Sequence, residues 1–305
     1  MLLALACVPA PEPSPEPADT GEPPPVTLDG ACPMASDLGG FTVEAADGYS
    51  LVDGTVLDGV VPVSVLAEVS AAGECRLLRR ENPHCDPACD VDETCDLDGV
   101  CVPYPGSLDL GVVTVTGLAE AVAMEPVQPG NRYFDTRLPH PAFEPGATIV
   151  LRSEGGALDP LLLHGVGVDL LATATDTLVV AAGEDLAVAW DPPAGTDVAE
   201  VVLELSIDQH GASPLRLDCA FSDSGAGTVP GALVQALVDA GVTGFPSASL
   251  RRRTIDAAEV DGGCVDFEVR AGVALDLRVA GYTPCDDDGD CPTGTTCDEA
   301  TEICE

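Results

Sequence analysis

At 305 residues and 31.0 kDa, with 46% hydrophobic and 4% aromatic residues, the chain has room for one to three domains and enough apolar side chains for a packed core. Wholesale disorder is excluded. A formal net charge of -40, from 52 acidic residues against 12 basic ones that are all arginine, repels phosphate backbones and excludes nucleic-acid binding. No run approaches the ~20 apolar residues that a helix needs to span a bilayer.

The chain opens Met1-Leu2-Leu3-Ala4-Leu5-Ala6-Cys7, followed by a Pro/Glu tract from Val8 to Pro25 that lacks the apolar residues for a core. These residues resemble the end of a bacterial lipoprotein signal, in which a short apolar stretch precedes a cysteine that is acylated and becomes the mature N-terminus. The resemblance implies lipidation at Cys7. The tract then reads as a tether that holds a folded body up to roughly 55 Å from its anchor, at about 3.1 Å per residue in polyproline II geometry. Several acyl chains on one residue anchor stably where a single chain does not.

Twelve cysteines follow Cys7, an even number that points to a disulfide framework in an oxidising compartment. Cys85, Cys89, Cys95 and Cys101 form one cluster, and Cys285, Cys291, Cys297 and Cys304 repeat it with slightly longer intervals. Each cluster is too short to bury a core, so disulfides must hold it. Zinc is the competing explanation, but every interval except Cys85 to Cys89 exceeds the tight knuckles that bring two thiolates to one tetrahedral ion. Cys32, Cys75, Cys219 and Cys264 pair most simply as one bond in each half of the body.

Between the clusters, period-two alternation marks strands with one buried face: Val201 to Ile207, Leu215 to Cys219, Val265 to Val269 and Leu275 to Val279. Further strands are expected at 41–45, 51–57, 60–69, 111–117, 148–152, 160–168, 177–182 and 185–190, and clean in/out alternation suits antiparallel sheets with one wet face. The segment 229–240 departs from that rule. Leu233, Val234, Leu237 and Val238 share a helical face, with Pro230 in the first turn and Gly241 beyond the end. Trp190, the only tryptophan, is expected as a core plug.

The fold expected is therefore mostly β: an antiparallel β-sandwich body with one short helix and two small disulfide-stapled cysteine modules. Its divisions are a lipoprotein signal remnant (1–7), a tether (8–30), an N-terminal β domain (31–130) with an inserted module (85–101), a sandwich (131–282) and a C-terminal module (283–305). The stretch from about 146 to 282, with its Trp190-Asp191-Pro192-Pro193 strand end, resembles immunoglobulin-like or fibronectin-like sandwiches. The modules resemble four-cysteine units of Dickkopf and EGF-like type. As a whole the chain resembles uncharacterised cysteine-rich lipoproteins of myxobacteria and related bacteria, which implies place and architecture but no activity.

Catalytic motifs are sparse. No nucleophile elbow, zinc-binding helix or P-loop occurs among 305 residues that include four histidines, His84, His140, His164 and His210. A secreted hydrolase would have to be built around His164, Asp208 and His210. Calcium is the best ligand hypothesis, because hard cations take clustered oxygens and Asp286, Asp287, Asp288 and Asp290 surround one glycine, while Asp90, Asp92, Glu93, Asp96 and Asp98 crowd the first module; neither run has the spacing of a D-x-D-x-D-G loop, and a solvated acid run is the alternative. If 250–255 is a strand, Arg251 and Arg253 share a face, where they would pair with local carboxylates or accept an acidic glycan; Arg76, Arg79 and Arg80 form a second basic group.

The expectation is a non-catalytic binding or adhesion protein of the cell envelope, either an outer membrane lipoprotein or secreted. It would meet the membrane through its lipid anchor and meet envelope proteins or glycans through its body. A purely structural envelope spacer is the third reading.

Overall fold

The computed structural model describes residues 26–193, 198–207, 215–244 and 246–305. Two N-terminal hairpins, β1 (Asp37–Ala46) with β2 (Tyr49–Val56) and β3 (Leu66–Ala72) with β4 (Cys75–Arg80), precede the first cysteine module, which holds β5 (Glu93–Cys95) and β6 (Cys101–Pro103). Next come β7 (Val113–Thr116), β8 (Val122–Met124), β9 (Tyr133–Asp135), β10 (Thr148–Ser153), β11 (Leu162–Val166), β12 (Thr177–Val180) and β13 (Leu186–Ala189). They are followed by β14 (Glu200–Ser206), β15 (Leu215–Ser222), β16 (Ala226–Val229) and the helix α1 (Gly231–Asp239). A long hairpin of β17 (Ser247–Val260) and β18 (Gly263–Val279) leads to β19 (Cys297–Asp298) and β20 (Ile303–Cys304) of the second module.

One 10-stranded sheet organises the molecule, in the order β3-β4-β15-β14-β17-β18-β1-β2-β9, with β12 also paired to β18. The sequence divides the body near residue 130, but this sheet interleaves strands from both sides of that point. β1 lies against β18, and β4 lies against β15. Most pairings are antiparallel as expected, but β1 and β12 both run parallel to β18. The expected strands at 265–269 and 275–279 are a single strand of 17 residues, and 250–255 lies inside a strand of 14.

The length of β17 and β18 gives the fold two cores on one face. Along β18 the odd-numbered residues point inward: Val265, Phe267, Val269 and Ala271 join one cluster, Leu275, Leu277 and Val279 the other. The first cluster is closed by a 4-stranded sheet, β11-β10-β7-β8, giving a β-sandwich. Gly165 of β11 makes the close approach: a Cβ there would lie 2.5 Å from Val269 Cγ2, so only glycine fits where the layers cross. The second cluster is closed by the β13-β16 pair and by α1, whose Leu233, Val234, Leu237 and Val238 are buried as its helical spacing requires. Each fully buried aliphatic chain of this kind contributes about 1.5–3 kcal/mol.

All twelve cysteines among the described residues form disulfides. The two modules share one connectivity, first to third and second to fourth: Cys85–Cys95 with Cys89–Cys101, and Cys285–Cys297 with Cys291–Cys304. The remaining four do not pair within halves. Cys32 bonds Cys264 and Cys75 bonds Cys219, across sequence separations of 232 and 144, because the shared sheet brings early strands beside late ones.

Candidate binding surface

The inner face of β17 carries polar residues where apolar ones would be expected. Arg252, Thr254 and Asp256 are buried between the two cores, and their side chains satisfy backbone that no strand reaches. β11 is an edge strand. Its outer N–H groups are taken by Asp256 Oδ2, which accepts from His164 N at 2.8 Å, and by Thr254 Oγ1, which accepts from Val166 N at 3.0 Å and donates to Val166 O at 2.8 Å. Arg252 extends the series by donating to Asp191 O at 2.6 Å and to Asp169 O at 3.2 Å, and it pairs with Asp223. Trp190 is the buried plug expected of it, and its indole Nε1 donates to Asp223 Oδ1 at 2.8 Å.

This geometry places the catalytic candidates. His164 Nδ1 lies 3.9 Å from Asp256 Oδ2, but that carboxylate is already held by the main-chain N–H groups of His164 and Asp29. Asp256 is an anchor for β11 and for the segment around Asp29. Asp208 and His210 lie outside the described residues, as does Cys7.

The acidic run of the second module makes turn contacts. Asp287 Oδ1 accepts from Gly289 N at 2.6 Å, Asp290 Oδ2 from Asp286 N at 2.9 Å, and Asp288 Oδ1 from Cys297 N at 2.9 Å. Asp96 does the same in the first module, accepting from Asp98 N and Val100 N. Among the described residues, groups of three metal-ligating atoms that converge are all built on disulfide cysteines. The carboxylates of Asp287, Asp288 and Asp290 are thus aimed at loop backbone, the chemistry of short polar caps.

The outer face of the large sheet is the surface most unlike the rest of this acidic protein. Arg251 and Arg253 do share it, as their spacing on a strand requires, and a chain of ion pairs runs over five strands. From β15, Arg216 binds Asp218 at 2.7 Å and Glu204 of β14 at 3.6 Å. Glu204 also meets Arg251 of β17 at 3.4 Å, and Glu200 meets Arg253 at 2.7 Å. Glu268 of β18 stands among three arginines, Arg270 at 3.2 Å, Arg253 at 3.5 Å and Arg251 at 3.8 Å; Arg270 then reaches Glu44 of β1 at 2.8 Å. The sequence shows the arginines but not their partners, which come from strands far apart in the chain.

This ladder is not saturated. Arg216 Nε, Arg251 Nε, Arg270 Nε, Asp218 Oδ1 and Glu268 Oε1 are buried without a hydrogen-bond partner. Burial pushes the Asp218 carboxyl above its ordinary value against the pull of Arg216. Burial opposes the charge on Arg270, but Glu268 and Glu44 outweigh it and hold the guanidinium above its usual pKa. Nearby on the same strand, burial raises Asp266 to about 6 although it accepts the Cys32 N–H at 2.7 Å.

Beside the ladder the sheet is interrupted. β1 follows β18 as far as Ala271 and β12 pairs with it from Asp276 onward, so among the described residues no strand pairs with 272–275 on that side. A cleft of about 670 Å3 opens there, lined by Glu44, Tyr49, His140, Asp176, Arg251 and Arg270. Neither the gap nor the cleft is legible in the sequence, because both depend on where two short strands stop along one long one.

The two cysteine modules are used differently. In the second, Ile303 is buried at 5% exposure within the α1 core and Thr301 O accepts from Gly244 N at 2.7 Å, so the module is docked on the body. In the first, the equivalent residue Val100 is 57% exposed. No helix among the described residues is long and apolar enough to cross a membrane.

No known protein family matches the chain, and no curated protein matches it. Among solved structures it is similar to the FN1–FN3 domains of chicken CNTN1, at 8% identity and a TM-score of 0.18 over 68% of this chain and 64% of that one. It is also similar to a Ca2+-stabilized adhesin that helps an Antarctic bacterium reach out and bind ice, at 12% identity and a TM-score of 0.19 over 82% of this chain and 51% of that one. The chain therefore spans less than two thirds of the length of either, and its β-sandwich architecture rests on the strand pairing described above.

Proposed function

We propose that the protein is an exported, lipid-anchored binding or adhesion protein of the cell envelope that carries out no covalent chemistry. The observation that carries this reading is the complete pairing of the twelve described cysteines in six disulfides, a state that persists in oxidising compartments. Cys32–Cys264 fixes the point where the tether meets the body directly onto the central strand β18, and Cys75–Cys219 fixes the far side of the sheet. The result is a rigid platform at the end of a Pro/Glu spacer, with its ion-paired sheet face and cleft available to an envelope protein or glycan. The net charge of -40 keeps such a body in solution and away from anionic headgroups.

Detergent phase partition tests the anchor. The protein extracted from its native cells is expected in the detergent-rich phase, and a Cys7→Ala variant in the aqueous phase. Wild-type protein found wholly in the aqueous phase would remove the anchor from the reading and leave a secreted protein.

A further inference from the structure

We infer that the cleft at the break in the sheet binds a neutral, polyhydroxylated ligand, a short uncharged glycan segment. This inference deepens the binding function proposed above and rests on it. The first reason is the main chain. Asp276 N donates to Asp176 O at 2.7 Å and Ala280 N to Val180 O at 2.8 Å, so the even-numbered residues of β18 aim their peptide groups at the β1/β12 side. Ala274 has this orientation, and among the described residues no strand pairs with it on that side. Its N–H and C=O therefore offer one donor and one acceptor inside the cleft.

The second reason is an incompletely used guanidinium. Arg251 is held only at long range, by a hydrogen bond from Nη2 to Glu204 at 3.4 Å and an ion pair from Nε to Glu268 at 3.8 Å, and its side chain is 23% exposed. It has donors to give, but the carboxylates of Glu44 and Asp176 line the same cleft, and Glu204 and Glu268 stand beside it. An anionic ligand would meet these carboxylates. A ligand whose hydroxyls both donate and accept satisfies both signs at once.

The third reason is Tyr49, which stands 53% exposed at the start of β2 on the rim of the cleft. An exposed aromatic ring beside convergent polar groups offers an apolar platform to the C–H face of a sugar ring, with a phenolic hydroxyl at its edge. The cleft volume of about 670 Å3 lies within the range of small-ligand sites.

Calorimetric titration of the full oxidised chain with maltohexaose, cellohexaose, chitohexaose and mannohexaose tests the inference at low and at high salt. Binding of at least one of them is expected, nearly unchanged by salt and weakened about tenfold or more by Tyr49→Ala, a loss of about 1.4 kcal/mol. Because Tyr49 is exposed, the variant should keep the wild-type melting curve, and that control separates loss of contact from loss of fold. Three results would overturn the inference: no heat with any of the four at about 10 mM, binding that Tyr49→Ala leaves unchanged, or binding confined to a heparin fragment or an oligolysine peptide and abolished by salt. Detergent partition reads the anchor independently, so failure here leaves the envelope assignment to be judged on its own experiment.

Discussion

The guanidinium of Arg252 and the carboxylate of Asp223 form a buried ion pair at the boundary between the two cores, with side-chain exposures of 1% and 4%. Trp190 Nε1 shares the same carboxylate, and Arg252 also holds the carbonyls of Asp169, Leu170 and Asp191. A buried pair of this kind gains little over apolar packing, but removing one partner strands the other charge. Asp223→Ala is therefore expected to destabilise the protein by about 3–5 kcal/mol in urea denaturation. Arg252→Met combined with Asp223→Leu removes the stranded charge but should not recover the loss, because Trp190 Nε1 and the carbonyls of Asp169, Leu170 and Asp191 lose their partners.

The two modules give a paired prediction. Ile303→Ala removes a side chain packed in the α1 core and should cost about 2–5 kcal/mol. Val100→Ala, at the equivalent but exposed position of the first module, should change stability by less than about 0.5 kcal/mol. Thermal melts of both variants check this, and equal losses would contradict the docking of the second module.

Asp266 makes stability depend on pH in a defined direction. Its folded pKa is raised by burial to about 6, above the ordinary carboxylate value of 3.8, so folding favours the protonated form. The contribution is fully present below the ordinary value and is lost as pH rises through about 6. Asp266→Asn keeps an Oδ1 acceptor for the Cys32 N–H, so the variant should lack this loss between pH 4 and 7. Asp298 acts with the opposite sign: the backbone N–H groups of Ala300 and Thr301 lower its pKa, so its contribution is present above 3.8 and fades as pH falls below it. Denaturation midpoints of wild type and Asp266→Asn across this range measure the difference.

The long-range disulfides should outweigh the local ones. In the chain-entropy account the closed loop sets the gain, and Cys32–Cys264 closes a separation of 232 where Cys85–Cys95 closes 10. Replacing Cys32 and Cys264 together by serine should cost about 2–5 kcal/mol. The corresponding change at Cys85 and Cys95 should cost less overall while loosening the first module, as limited proteolysis within 81–104 would report.

Much of the local structure was written in alternation and spacing. Leu203, Leu205, Leu217, Phe267 and Leu277 are buried as their period-two patterns require, α1 lies within the expected 229–240, and the repeated cysteine intervals correspond to repeated connectivity. What could not be read is set by long-range pairing. The partners of Cys32 and Cys75 are fixed by β1 running beside β18 and β4 beside β15, relationships that no local pattern encodes. Arg252 sits between Arg251 and Arg253 in three identical letters, yet strand geometry turns it alone into the core. The acidic runs are ambiguous as sequence, because short polar turns and cation loops draw on the same residues; the structure adds the turn contacts of Asp287, Asp288 and Asp290.

The central claim is export with complete oxidation and a lipid on Cys7, and mass spectrometry of the protein taken from its native cells tests it most directly. Acyl chains on an N-terminal Cys7, with none of the other twelve cysteines alkylated until a reductant is added, is the predicted result. An unacylated chain whose thiols react freely without reduction would contradict it.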